Sequence, residues 1–421
     1  MSDYQPQSDF LRCLQERGFF HQCTDIAALD QRLKEGPIVA YIGFDATSDC
    51  LHVGNLAQIM MLRWLQYFGH KPIVLMGGGT TKVGDPSGKD TQRQMLTPEV
   101  IESNKSSIEK IFKQFLSFGS AHSDALMVDN AEWLDNLGYL AFLRDVGKHF
   151  SINRMLTFDS VKSRLDRDQP LSFLEFNYML LQAYDFAELN KRFQCQLQLG
   201  GSDQWGNIVS GIDLGRRLMS QPLFGWTAPL ITTASGAKMG KTAQGAIWIR
   251  DDKLPAYDYW QFWRNTEDKD VVRFLKLFTD LPLADIEQLG QLRDGDINQA
   301  KTILANEATK LCHGEALQQQ AEKTALDTFQ MAGMGSGLPS LSFSASDFSE
   351  PILLTRIIVD LGFSGSNSQA RRLIEQGSVK LDEAKIVDVG YQLEVSQFSK
   401  SKRLKLAVGK KKFASLLLSE N

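Results

Sequence analysis

The sequence predicts an α/β protein built on a doubly wound parallel sheet, followed by an α-helical domain and a small α+β domain. Three observations carry that expectation. Short apolar runs alternate with helical periodicities through the first 251 residues, the pattern of parallel strands joined by helices. From 252 to 330 the pattern turns wholly helical. Met331 to Glu350 is rich in Gly and Ser, with few charges and one Pro, and predicts a flexible linker ahead of a last domain over 351–421. A chain of 421 residues also exceeds the size at which one core keeps growing, so several domains are expected.

Each element follows from its residues. Ile38 to Gly43 is a short apolar run ending in a Gly-Phe-Asp turn. Leu56, Ile59, Met60, Trp64 and Tyr67 then recur at helical spacing, and Gly69 ends that helix. Pro72 to Met76 is a second run closing in three glycines, so Ile38 to Met76 predicts a βαβ unit with parallel strands. Leu126 to Asp129, Cys195 to Leu199 and Leu230 to Thr232 are further strand candidates. A doubly wound, Rossmann-like sheet binds its ligand beyond the carboxyl ends of its strands. Gly-rich stretches at 43–54, 77–88 and 200–206 all follow such ends. Ser172 and Glu175 have capping-box spacing, which predicts a helix with Glu175, Tyr178, Gln182 and Asp185 on one face and Phe173, Phe176, Leu180, Ala183 and Ala187 on the other. Ile297, Ala300, Leu304, Ala308 and Leu311 form one stripe of a later helix. Ser366 or Ser368 caps a helix running to Gly377, with Val379 to Asp382 as the strand after it.

Composition excludes several classes. No apolar run approaches the roughly 20 residues that span a bilayer. Met1 to Glu16 is polar, without the basic-then-apolar order of a secretory signal. The five cysteines are scattered and never spaced C-x-x-C, which suits reduced thiols in a cytoplasm and predicts neither a disulfide framework nor a zinc site. No histidine has metal-ligand spacing, so no metal site is expected. Charge is uneven: residues 351–421 carry 12 Lys+Arg against 7 Asp+Glu, and the first 350 carry 34 against 43. A basic tail on an acidic body suits contact with a polyanion.

Two motifs carry the chemistry. Gly43, Asp45, Thr47, His52, Gly54 and Asn55 lie in a turn between a strand and a helix, where backbone donors and close approach suit nucleotide phosphates. Neither a Walker A loop nor G-x-G-x-x-G is present, so the usual phosphate-loop and dinucleotide readings lose their support. Lys238-Met239-Gly240-Lys241-Thr242 offers two ammonium groups beside a glycine, and Asp85-Pro86-Ser87-Gly88-Lys89 with Arg93 offers a second basic loop. Such groups suit a pyrophosphate whose charge builds in the transition state.

HVGN early and KMGKT late together resemble the paired motifs of class I aminoacyl-tRNA synthetases. Tyr41-Ile42-Gly43-Phe44-Asp45, Gly84 to Lys89, Tyr178 to Phe186 and Gly200 to Asn207 resemble, over nearly the whole chain, the bacterial-type tyrosyl-tRNA synthetases. The resemblance implies that tyrosine and ATP form tyrosyl-adenylate and pyrophosphate, with the tyrosyl group then passing to the 3′-terminal adenosine of tRNA(Tyr). It implies that Tyr41 and Asp185 bond the substrate phenol, while Asp85, Tyr178 and Gln182 hold its ammonium group and Gln204 lies nearby. It places Thr47 and His52 at the γ-phosphate and Gly54, Asn55, Gly201 and Asp203 around the ribose, with Gly43, Asp45 and Thr242 also in the ATP site. Lys89, Arg93, Lys238 and Lys241 embrace the pyrophosphate. Asn55 departs from the family, which has His there; an amide N–H replaces the imidazole donor. The tail, with Ser368 to Ile374 and Gly377 to Asp382, resembles an S4 RNA-binding domain, and Lys400, Lys402, Arg403, Lys405 and Lys410 to Lys412 add charge for phosphates. The resemblance further implies a cytoplasmic homodimer that takes ATP with Mg2+ and has no tightly bound cofactor and no membrane partner. Tryptophanyl-tRNA synthetase shares the fold but is disfavoured by the Tyr41 and Asp185 pair and the S4-like tail. The intact lysine loop disfavours an RNA-binding protein that has lost catalysis.

Overall fold

The computed structural model describes residues 4–87, 95–219, 222–234, 236, 239–242, 245–293, 296–330, 339–349, 351–382, 384–399, 402–409 and 412–419. Contacts divide the chain into two compact units, 1–255 with 262–312 and 256–261 with 313–421. The helical segment expected over 252–330 is therefore shared between them.

In the first unit, β1 (Gln22–Cys23), β2 (Val39–Phe44), β3 (Lys71–Met76), β4 (Leu126–Asp129), β5 (Cys195–Gly201) and β6 (Phe224–Ala228) form one sheet in the order β1-β6-β5-β2-β3-β4. All neighbours are parallel except β1 and β6. Strands covered on both faces read as unbroken apolar runs. Hence Ile73, Val74, Leu75 and Met76 are all buried, as are Leu197 and Leu199. The strand expected at Leu230 to Thr232 instead runs over Phe224–Ala228. Pro229, which lacks a ladder donor, follows immediately and ends it. β1 was not foreseen, because two residues are too few to show a period.

Chain order reverses direction across the sheet between β2 and β5, the position where a doubly wound sheet opens its crevice. Helix Val53–Tyr67 follows β2 and buries Leu56, Ile59, Met60 and Trp64. Helix Phe173–Phe193 opens with the expected capping box: Ser172 Oγ accepts from Glu175 N at 3.2 Å, and Ser172 N donates to Glu175 Oε2 at 3.1 Å. Leu180, Ala183 and Ala187 enter the core as expected, but Phe173 is exposed, since the first turn reaches beyond the elements the helix packs on. Helix Asp268–Phe278 belongs to the same unit, held where Arg17 donates to the carbonyls of Lys276, Thr279 and Leu281 at 3.0, 3.1 and 2.7 Å.

The second unit has its own core, in which Leu354, Ile357, Ile358 and Ile374 meet Val379, Leu404, Leu406 and Leu416. Its larger sheet has five strands in the order Ala384–Ile386, Val379–Leu381, Arg403–Val408, Lys412–Leu418 and Ser340–Phe343. That last strand corrects the linker expected over 331–350. Leu341 and Phe343 alternate with serines and turn onto the core, so the segment pairs parallel to Lys412–Leu418. Residues 331–338 lie outside the described residues. Ser366, not Ser368, caps helix Asn367–Glu375, accepting from Gln369 N at 3.3 Å.

Candidate active site

A cavity of about 340 Å³ opens at the carboxyl ends of β2 and β5. It gathers Tyr41, Gly43, Asp45, Thr47, His52, Gly54 and Asn55 from β2 and the turn after it. From helix Phe173–Phe193 it takes Tyr178, Gln182 and Asp185, one face at helical spacing; Asp85, Asp203 and Gln204 come from loops following β3 and β5. Gly201, the last residue of β5, is buried and lies outside the lining. Glu175, on the same helical stripe as Tyr178, faces Arg164 at 2.8 Å in a buried ion pair and takes no part.

The deep end is dry. Asp185 is 2% exposed and receives Asn130 Nδ2 at 3.0 Å and Trp133 Nε1 at 2.8 Å, one donor on each oxygen. Burial first, with the charges of Asp45 and Asp129 adding to it, pushes its pKa up to about 8 against the pull of those two donors. Tyr41 is fully buried, and among the described residues its hydroxyl has no hydrogen-bond partner. Burial, then the Asp185 charge, hold that phenol well above its ordinary value, which keeps it a hydroxyl. A buried, unpaired hydroxyl costs free energy until a polar group meets it.

The middle of the cavity is a web of polar side chains. Tyr178 Oη donates to Asp45 Oδ2 at 3.0 Å; burial first, then Asp45, Asp85 and Asp185, keep it protonated. Gln204 Nε2 donates to Asp85 Oδ2 at 2.8 Å, and Asn207 Nδ2 donates to Gln182 Oε1 at 3.0 Å and Gln204 Oε1 at 3.2 Å. Besides Asp185, three further carboxylates, Asp45, Asp85 and Asp203, line the same cavity. That charge suits a cation.

At the mouth, His52 caps helix Val53–Tyr67 through Nδ1, which accepts from Gly54 N at 3.0 Å. Asn55 completes a capping box: its Oδ1 accepts from His52 N at 3.2 Å. The late motif docks on this turn. Ile247 N donates to Gly240 O at 3.0 Å and Val53 N to Ile247 O at 2.9 Å. Gly240 has φ +88°, and a Cβ there would sit 2.8 Å from both Gly54 N and His52 Nδ1. Only glycine fits. The two motifs singled out in the sequence are therefore one structural junction. Lys241 and Thr242 pair with Ala246 and Gly245 in a short hairpin, with only their backbone described. Lys89, Arg93 and Lys238 lie outside the described residues, as do Lys400, Lys410 and Lys411.

Sequence reasoning missed Thr80, Asn130 and Gln198, all of which line the cavity, and Trp133 behind it. A signal for Asn130 existed, since it follows the strand Leu126–Asp129 at its carboxyl end, where ligands gather in such sheets.

The comparisons fit this geometry. A family model described as tRNA synthetases class I (W and Y) matches residues 33–330, and one described as the tyrosine–tRNA ligase SYY-like C-terminal domain matches 330–416. The fold and the cavity are those of a class I tRNA synthetase. The tyrosine–tRNA ligase of Beijerinckia indica subsp. indica is 56% identical over 419 residues, and that of Methylocella silvestris 55% identical over 416, each match covering 99% of both chains. A crystal structure of a C-terminally truncated mitochondrial tyrosyl-tRNA synthetase from Aspergillus nidulans is similar with a TM-score of 0.69 at 30% identity, covering 77% of this chain and 95% of that one. The chain belongs to the tyrosine–tRNA ligase family, within the class I aminoacyl-tRNA synthetases.

Proposed function

We propose that the cavity between β2 and β5 is where this chain activates L-tyrosine with ATP, taken as its magnesium complex, before transfer to tRNA(Tyr). The observation that carries the reading is the pair at the deep end: an unpartnered, buried Tyr41 hydroxyl beside Asp185, whose oxygens are already held by Asn130 and Trp133. A phenol supplies both what Tyr41 lacks and a donor for Asp185. Phenylalanine would leave the Tyr41 hydroxyl unmet in a dry site, which discriminates strongly; its rejection by tyrosine–tRNA ligases is the standing example of this effect.

The other roles are those that the family resemblance implies. Asp85, Tyr178 and Gln182, with Gln204 beside Asp85, receive the ammonium group. Thr47 and His52 meet the γ-phosphate, and Gly43, Asp45, Gly54, Asn55 and Asp203 line the way for the nucleotide, with Gly201 buried at the end of β5 behind that lining. Lys89, Arg93, Lys238, Lys241 and Thr242 close on the pyrophosphate from the two basic loops. No side chain needs to remove a proton from the nucleophile, because the carboxylate of tyrosine is ionised at pH 7. Positioning and charge stabilisation supply the rate.

The division into a catalytic domain, a helical domain on the anticodon side and an S4-like module belongs to the same proposal. Arg371, Arg372 and Lys380 are exposed on the helix and strand of that module, available to RNA phosphates. A homodimer is favoured by the exposed apolar side chains Tyr139, Leu140, Ile152, Leu156, Leu165 and Phe173, crowded into one stretch of the first unit. The cytoplasm is the proposed site of work: all five cysteines are free, and among the described residues no helix is long and apolar enough to cross a membrane. Amino-acid-dependent exchange of pyrophosphate into ATP, run with tyrosine, tryptophan and phenylalanine, tests the assignment. Exchange with tyrosine far above the other two is expected; its absence refutes the reading.

A further inference from the structure

Asp185 and Asp45 stand in different parts of the cavity, yet one chain of hydrogen bonds joins them. Asn130 Nδ2 donates to Asp185 Oδ2 and to Thr80 Oγ1, both at 3.0 Å, and Thr80 Oγ1 donates to Asp45 Oδ1 at 2.8 Å. Asp45 in turn receives Tyr178 on its other oxygen. Every direction in this chain is determined. Asn130 Oδ1 accepts from the backbone N–H of Gly79 at 2.8 Å and of Thr80 at 3.4 Å, so the amide nitrogen must face the other way, and both its hydrogens are used. Thr80 has one hydroxyl hydrogen, and Asp45 takes it. Thr80 is 2% exposed and Asn130 1%, so water does not stand in for a lost partner.

Resting on the tyrosine-activating reading above, we propose that Thr80 is a positioning residue that ties the phenol-reading carboxylate Asp185 to Asp45 and Tyr178 at the ammonium end. Discrimination of tyrosine from phenylalanine then depends on the Thr80 hydroxyl. Removing that hydroxyl orphans one Asn130 hydrogen in a dry site. The amide then pivots on its bond to Gly79 and draws its other hydrogen away from Asp185. Tyrosine feels that change through its phenol, and phenylalanine has no phenol to feel it. Because the phenol contact exists before and during the reaction, the loss falls on KM for tyrosine and much less on kcat.

Steady-state pyrophosphate exchange with tyrosine and with phenylalanine, on the full chain, tests the relay in wild type, Thr80→Val and Thr80→Ser. Thr80→Val is expected to raise KM for tyrosine about tenfold or more, the scale of a hydrogen bond to a charged group, and to lower the tyrosine-to-phenylalanine ratio of kcat/KM by the same factor. Thr80→Ser, which keeps the hydroxyl, is expected to restore both. A Val variant that keeps the wild-type ratio, or a Ser variant as damaged as Val, overturns the relay and leaves the activation reading standing. Wild type without tyrosine-dependent exchange overturns that reading instead. Should Thr80→Val not fold, Thr80→Cys reads the same ratio, since a thiol is a weak donor and acceptor.

Discussion

The two halves of the cavity are built differently. Around Asp185 the site is buried, and almost every polar atom already has a partner within the protein. Around His52 it is half-exposed and held by backbone: a helix cap, a capping box, and two glycine-bearing segments in close approach. On the reading proposed above, the first half meets a small rigid phenol, for which fixed donors and acceptors cost nothing to reorganise. On the proposed reading the second admits a triphosphate and releases pyrophosphate, which suits its half-exposed walls. Preorganisation and access are thus separated along one cavity.

The hardest blow to the buried half is Asp185→Asn. An amide offers one oxygen where Asn130 and Trp133 each need an acceptor, so one of those donors meets an NH2 group. A buried donor left without its acceptor costs about 3 kcal/mol, which is roughly 100-fold in kcat/KM for tyrosine. Activation of phenylalanine is expected to change far less, and equal losses for both amino acids would dissolve the contrast. The open half breaks differently. Gly240→Ala puts a side chain at φ +88°, a strain of about 1–2 kcal/mol, with its Cβ against the Gly54 backbone and the His52 ring. KM for ATP is expected to rise about tenfold on that strain alone, while tyrosine affinity without ATP, measured by equilibrium dialysis, stays at the wild-type value.

The buried carboxyl also leaves a mark on stability. With its folded pKa raised from 3.8 to about 8, Asp185 keeps a proton in the native state that the unfolded chain releases near pH 4. Native protein then binds more protons than unfolded protein across that window, so stability falls as pH rises through it. Melting temperatures of ligand-free wild type are expected to drop relative to Asp185→Asn between pH 5 and pH 8. Parallel curves would show that Asp185 is ionised from the start.

How much of this was legible beforehand follows the same division. Helix Phe173–Phe193 announced itself, since Ser172 and Glu175 fix its start and Tyr178, Gln182 and Asp185 then share a face by spacing alone. Strands β2, β3 and β4 were readable as apolar runs, and β5 because Cys195, Leu197 and Leu199 alternate with glutamines. β6 was displaced in the reading because its Gly225 and Thr227 interrupt such a run, while Leu230 and Ile231 beyond Pro229 imitate one. The bond between Thr80 and Asn130 was invisible for a different reason: the two are 50 residues apart in sequence and meet only when β3 and β4 pair side by side. Ser340–Phe343 was hidden by its serines, which mark an edge strand as readily as a linker.

Asn55 gives the smallest effect and separates two roles most cleanly. Its Oδ1 accepts from His52 N, so its Nδ2 points away from that bond, on a residue that lines the cavity. Asn55→Asp keeps an oxygen for the cap and exchanges the amide donor for negative charge. Its thermal stability is expected to match wild type, while KM for ATP rises severalfold because the phosphates meet a carboxylate at the mouth. Asn55→Ala loses the cap as well, at about 1 kcal/mol. If Asp and Ala destabilise the fold equally, the capping box contributes nothing in solution. If Asp leaves KM for ATP untouched, Asn55 serves the helix alone, and the nucleotide half rests on His52, the glycines and the basic loops.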